Sequence, residues 1–131
     1  MIINSKIAGG IVLHIQHIIT VTGKVADESI HCKPDLKGEE HQHFYIDLEE
    51  VLEGDPRLVD NNKIFVAARY GDVEGFPEPI PNIIPGEPII IKGKFVPASK
   101  AYTTEDNPGY PVLHFTHHPL GYIIYDGAKH E

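Results

Sequence analysis

The sequence predicts an all-β domain of five short strands closed into a small barrel, and three observations carry that prediction. Runs rich in Ile, Val, Phe and Tyr alternate apolar and polar residues with period two, the pattern of a half-buried strand. Clusters of Gly, Pro, Asn and Asp separate these runs. At 131 residues the chain is one domain, residues 1–131, with room for a single hydrophobic core.

The first strand is HIITVTGKVAD, with Ile19, Val21 and Val25 on one face and Thr20, Thr22 and Lys24 on the other. HQHFYIDL is the second, where Phe44, Ile46 and Leu48 alternate with His41, His43, Tyr45 and Asp47. DLEEVLEGDPRLVDNN then allows one short helical turn, ended by Gly54, Asp55 and Pro56. KIFVAARYG is the third strand. The segment GFPEPIPNIIPGEP follows, and its five prolines remove backbone donors and disfavour helix, predicting a stiff extended crossing. PIIIKGKFV is the fourth strand, with Ile89, Ile91 and Phe95 opposing Lys92 and Lys94. SKAYTTEDNPGYP reads as a long hairpin connection, and PVLHFTHH as the fifth strand. A glycine such as Gly23 or Gly93 lets a strand bend round a small barrel. Together these features suggest a five-stranded Greek-key barrel of OB type, with another small antiparallel barrel or a sandwich as the alternative.

In the expected pairing the first strand joins the second and fourth, and the fifth closes back onto the first. Alternation places Leu113, Phe115 and His117 on one face of the fifth strand, with His114, Thr116 and His118 on the other. His117, in line with core residues, is expected to be partly buried or to cap the barrel.

The formal charge of −8, from 19 acidic against 11 basic residues, argues against tight non-specific binding to a polyphosphate but leaves room for a local basic strip. Cys32 is the only cysteine, so no intrachain disulfide can form, and a small buried side chain is expected. The apolar N-terminus is interrupted by Lys6, His14, Gln16 and His17. It reads as too polar for a membrane span and lacks a clear cleavage site, so a cytoplasmic protein without membrane contact is expected.

Nine histidines raise the question of chemistry. Residues two apart on a strand share a face, with α-carbons about 6.5 Å apart, and imidazoles can converge from there on zinc. His41, His43, His114, His117 and His118 are therefore the candidate metal ligands, with zinc as the candidate cofactor. Separation of the second and fifth strands counts against a joint site, and the spacing matches no standard structural-zinc pattern. A catalytic histidine would need an orienting carboxylate, for which Asp47 and Asp72 are candidates. No GxSxG elbow, phosphate-cradling glycine loop or HExxH is present. For binding, the outer surface of strands two and three offers His43, Tyr45, Phe65 and Arg69, joined by Lys100, Tyr102 and Tyr110 from the last loop. Rings there could stack bases of single-stranded nucleic acid and the cations could meet phosphates, unless the proline-rich crossing or a second subunit covers Tyr45 and Phe65.

HQHF at residues 41–44 and LHFTHHPLG at 113–121 resemble the motifs of an uncharacterised bacterial family, domain of unknown function 3465. Its members carry a His-Gln-Arg-Phe-like strand and a closing His-Trp-Thr-His-His-Asp-like motif in an OB-like barrel. The resemblance maps His41, Gln42 and Phe44 onto the first motif, and His114, Thr116, His117 and His118 onto the second. His43 stands in place of arginine, Phe115 of tryptophan and Pro119 of aspartate. The resemblance implies the barrel, and a His41 and His117 pair bridged through Gln42, more than it implies an activity. The expected function is an OB-type binding or interaction module, with a histidine-dependent metal hydrolase or a structural homo-oligomer subunit as alternatives.

Overall fold

The computed structural model describes residues 6–7, 11–12, 17–27, 31–34, 40–101, 103–104 and 106–131. Expectations for His14 and Tyr102, and for the side chains of His31 and Cys32, lie outside the described residues. The described residues form ten strands: β1 Lys6–Ile7, β2 Ile11–Val12, β3 Ile18–Val25, β4 His31–Pro34, β5 Glu40–Glu53, β6 Lys63–Tyr70, β7 Pro88–Val96, β8 Val112–His114, β9 Tyr122–Tyr125 and β10 Ala128–His130. No helix among the described residues is long and apolar enough to cross a membrane.

Five of these strands close a barrel of OB type in the order β3-β5-β6-β8-β7 and back to β3. The closing strand β8 runs parallel to β6 and antiparallel to β7. The expected return of the fifth strand onto the first is therefore corrected: β7 already occupies that edge of β3. One consequence matters for function. One strand, β6, lies between the histidines of β5 and His114 of β8, so the expected separation of the second and fifth strands holds.

Alternation fixes the core. Phe44 and Ile46 of β5, Ile64 and Val66 of β6, Ile89, Ile91 and Phe95 of β7, and Leu113 of β8 all point inward and are buried. Phe76 and Ile80 of the proline-rich crossing are buried in the same cluster. Gln42 also points inward, and its amide donates to the Ile80 carbonyl (3.0 Å) and accepts from the Ile80 N–H (2.9 Å). Both ends of the amide are thereby engaged by the proline-rich crossing. The helical turn expected to end at Gly54, Asp55 and Pro56 does not form, because β5 runs on to Glu53; a 3-10 turn follows at Pro56–Leu58, capped by Asp55.

The C-terminal hairpin β9–β10 was not expected from sequence; it extends the sheet beyond β7. The fifth strand is also shorter than expected and ends at His114. Phe115 takes φ +53°, the left-handed region, and this breaks the alternation. Phe115 is consequently exposed while Thr116 is buried, the reverse of the expected parity. His117 is buried, as its place in the core row predicts. The turn presses closely against β7. A β-carbon at Gly93 would stand 2.6 Å from the His114 carbonyl oxygen, and one at Gly121 only 2.1 Å from that of Lys92.

Candidate functional site

The outward residues of β5, β6 and β8 form one continuous face. His43 is the cross-strand partner of Ala67, and Val66 that of Leu113, so one residue further along both strands the small Ala67 lies between His43 and His114. His41 is close enough that its charge, after burial and Lys94, helps push the His114 pKa down to about 4. The His41 and His43 rings stand 6.3 Å apart between centroids.

The connection between β7 and β8, residues 97–111, folds over this face. Asn107 organises it: its side-chain oxygen accepts from the Gly109 and Tyr110 N–H groups, its amide donates to the Tyr110 carbonyl, and its own N–H donates to Thr104 Oγ1. Asp106 fastens it down. Its carboxylate accepts from His43 Nδ1 at 2.9 Å, and its carbonyl accepts from the Tyr45 hydroxyl. Beneath the connection Ala26, Tyr45 and Phe65 form a second apolar cluster with Tyr110 and Val112 packed against it.

These contacts correct the expected stacking surface. Tyr45 is 8% and Phe65 6% exposed, so neither ring face is open to a base. The expected cover is present, but it comes from the β7–β8 connection and not from the proline-rich crossing. Arg69 is also engaged, at 2.8 Å from both Asp72 and Glu74, and it holds the Asp72 carboxyl down at about 2. Asp72 thus serves Arg69, and Asp106 is the carboxylate that meets a histidine. The TTEDNPGY turn signal around Asn107 was visible in the sequence, but nothing local pointed its Asp106 at a ring 63 residues earlier.

A cleft of about 270 Å³ remains between the connection and the barrel. Phe65, Val96 and Val112 supply its apolar wall, and Lys100, Thr104, Asn107 and His114 its polar one. His114 Nε2 is buried and has no hydrogen-bond partner, as are His117 Nε2 and Thr116 Oγ1 in the adjoining turn. An orphaned buried polar atom carries a desolvation cost. The expected metal set is dispersed: His117 donates from Nδ1 to the His118 carbonyl (3.0 Å), and His118 is exposed on the turn. Among the described residues no three His, Cys, Asp or Glu side chains are placed to hold a metal ion together.

Compared with known protein families, curated proteins and solved structures, the chain finds no match. The site must be read from its own geometry.

Proposed function

We propose that the protein is an OB-type binding module whose ligand enters the cleft beneath the β7–β8 connection. The observation that carries this reading is the cleft itself, which sets Lys100 and His114 against the apolar wall of Phe65, Val96 and Val112, with His114 Nε2 buried and without a hydrogen-bond partner. An apolar wall facing a cation and an imidazole suits a ligand unit with a flat ring and an anionic group, and a nucleotide is the plainest example. The cleft has room for about one such unit, which fits an oligomeric ligand held by one residue at a time. Membership of the domain of unknown function 3465 belongs to the same proposal, since His114 and His117 of its motif border the cleft and the adjoining turn.

The test is a titration of isotope-labelled protein with thymidine 5′-monophosphate, followed by NMR at the His114 ring and the Lys100 amide. Saturable shifts at both positions are expected, with roughly tenfold weaker binding in Lys100→Ala, the loss typical of a charge-assisted hydrogen bond. Signals at His114 that stay fixed at millimolar nucleotide would overturn the reading.

The His43 and Asp106 pair favours a second reading, a histidine-dependent hydrolase, because a carboxylate at Nδ1 orients an imidazole for proton transfer. Its test is hydrolysis of bis(p-nitrophenyl) phosphate with and without chelator: turnover abolished by Asp106→Asn would move this reading ahead of simple binding.

A further inference from the structure

The strand β7 carries a row of features on its outer side that the cleft does not use. Lys92 and Lys94 point outward two residues apart, about 6.5 Å along the strand. Lys94 pairs with His114 across β8, and its ammonium lies 5.9 Å from the Phe115 ring centroid. Lys92 pairs with Tyr122 of β9, whose ring lies 4.7 Å below the Lys129 ammonium. Rings and cations therefore lie together across the sheet, from Phe115 through Lys94 and Lys92 to Tyr122 and Lys129. In a chain of net charge −8 this is a local concentration of lysine. Carboxylates at its margin include Glu53, which accepts from Thr20, Glu50 beside it on β5, and Glu131, 3.7 Å from Lys129.

Phe115 is the feature that asks for an explanation. A bulky residue at φ +53° carries backbone strain of about 1–3 kcal/mol, which glycine would avoid. The strained backbone does not place the ring in the core, because 43% of the residue is exposed. It places the ring outside, 4.4 Å from the His114 ring and 6.2 Å from that of His117. Gly93 and Gly121 let the turn lie directly on the β7 backbone, which fixes the ring's position. A fixed, exposed ring beside a lysine row is the arrangement that holds unpaired bases and their phosphates.

We infer that the outer side of β7 and β9, led by Phe115, is a track for single-stranded nucleic acid that continues from the cleft. A base stacks on Phe115, and the phosphates that follow pass Lys94 and Lys92 toward Tyr122. The His114 ring, which borders the cleft and packs on Phe115, joins the two. The inference takes its ligand class from the proposed function, while its location rests on the ring and lysine row alone.

The experiment is fluorescence anisotropy with a fluorescein-labelled strand of twelve thymidines, at several salt concentrations, on the whole chain. Phe115→Gly relieves the backbone while deleting the ring, and should remain folded by circular dichroism yet bind at least roughly fivefold more weakly. In Lys92→Ala/Lys94→Ala the slope of log affinity against log salt should become shallower by about 1.4, the release expected for two phosphates of a single strand. Lys100→Ala, which alters only the cleft, should leave that slope difference intact. If thymidine monophosphate moves His114 but the strand binds no more tightly than the monophosphate, the track is refuted and the cleft stands. If the strand binds while His114 ignores the monophosphate, and the β7 variants weaken it, the cleft reading fails and the track stands. Full affinity in both Phe115→Gly and the double lysine variant would refute the track outright.

Discussion

Protonating His114 should cost the folded protein stability, and the size of the effect follows from its surroundings. The imidazole has an ordinary value of 6.5 and is pushed down to about 4 in the fold, first by burial, then by the charges of Lys94 and His41. Between these values the unfolded chain binds a proton that the folded chain refuses. The contribution is therefore fully present above about pH 6.5, declines as the pH falls toward 4, and changes no further below that. At about 1.4 kcal/mol per pH unit the whole interval is worth on the order of 3 kcal/mol, and most of that is already lost at pH 4.5.

The variant His114→Gln removes the titration while keeping a polar side chain of similar reach. Urea unfolding followed by far-ultraviolet circular dichroism at pH 7.5 and pH 4.5 gives two stabilities for each protein. Carboxylate titrations common to both cancel in the difference, so the wild type should lose about 2–3 kcal/mol more than the variant between the two pH values. Added salt separates the causes. In 1 M NaCl the contributions of Lys94 and His41 should shrink, while the larger one from burial persists. Equal losses in the two proteins would refute the argument, because they would show that His114 is protonated as readily in the fold as in the unfolded chain.

Three further outcomes follow from contacts elsewhere. Gln42→Ala removes both hydrogen bonds to Ile80 and strands a buried donor and acceptor, so unfolding free energy should fall by about 2–4 kcal/mol in chemical denaturation. Gly121→Ala would place a β-carbon 2.1 Å from the Lys92 carbonyl oxygen and should lower stability by about 3 kcal/mol or more, whereas Gly86→Ala, with open space around it, should cost only the backbone strain of its φ of +91°, about 1–3 kcal/mol by the same assay. Asp106→Ala releases the β7–β8 connection from His43, so amide hydrogen exchange across residues 103–110 should quicken roughly tenfold or more while β3 and β7 amides keep their protection.

The core was legible because its signal is local and strictly periodic. Phe44 and Ile46, Ile64 and Val66, and Ile89, Ile91 and Phe95 all face inward as alternation required, and β7 spans the residues the pattern marked. Thr20 shows where the pattern loses authority. It alternates as a solvent-facing residue, yet it is buried and donates to Glu53, beside a register shift between Thr20 and Val21. Phe115 shows the same limit in a sharper form, since one left-handed residue ends the alternation and leaves Phe115 exposed with Thr116 and His117 both buried. YIIY of β9 is a continuous apolar run too short to display a period. The candidate site was half legible. His114 and Lys100 could be named from residue type and position, but the cover over Tyr45 and Phe65 depends on Asp106 reaching strands some sixty residues away.

The crossing between β6 and β7 shows how this barrel is sealed without a helix. Pro77, Pro79, Pro81 and Pro85 contribute no N–H groups, which removes the donors a helix would need and also reduces the number left to satisfy. Several of those that remain are met individually. Phe76 donates to the Arg69 carbonyl, Ile80 to Gln42, Ile84 to the Tyr125 hydroxyl and Gly86 to the Val25 carbonyl. The Tyr125 hydroxyl in turn donates to the Asn82 carbonyl. Gln42 belongs to the second barrel strand and Tyr125 to the added hairpin, so the same irregular segment is pinned from both sides. The β9–β10 hairpin is thus tied to barrel closure through Tyr125, and it also brings Tyr122 and Lys129 to the outer side of β7. Its two tyrosines divide the work by parity: Tyr125 points inward to hold the crossing, and Tyr122, three residues earlier, faces outward beside Lys92.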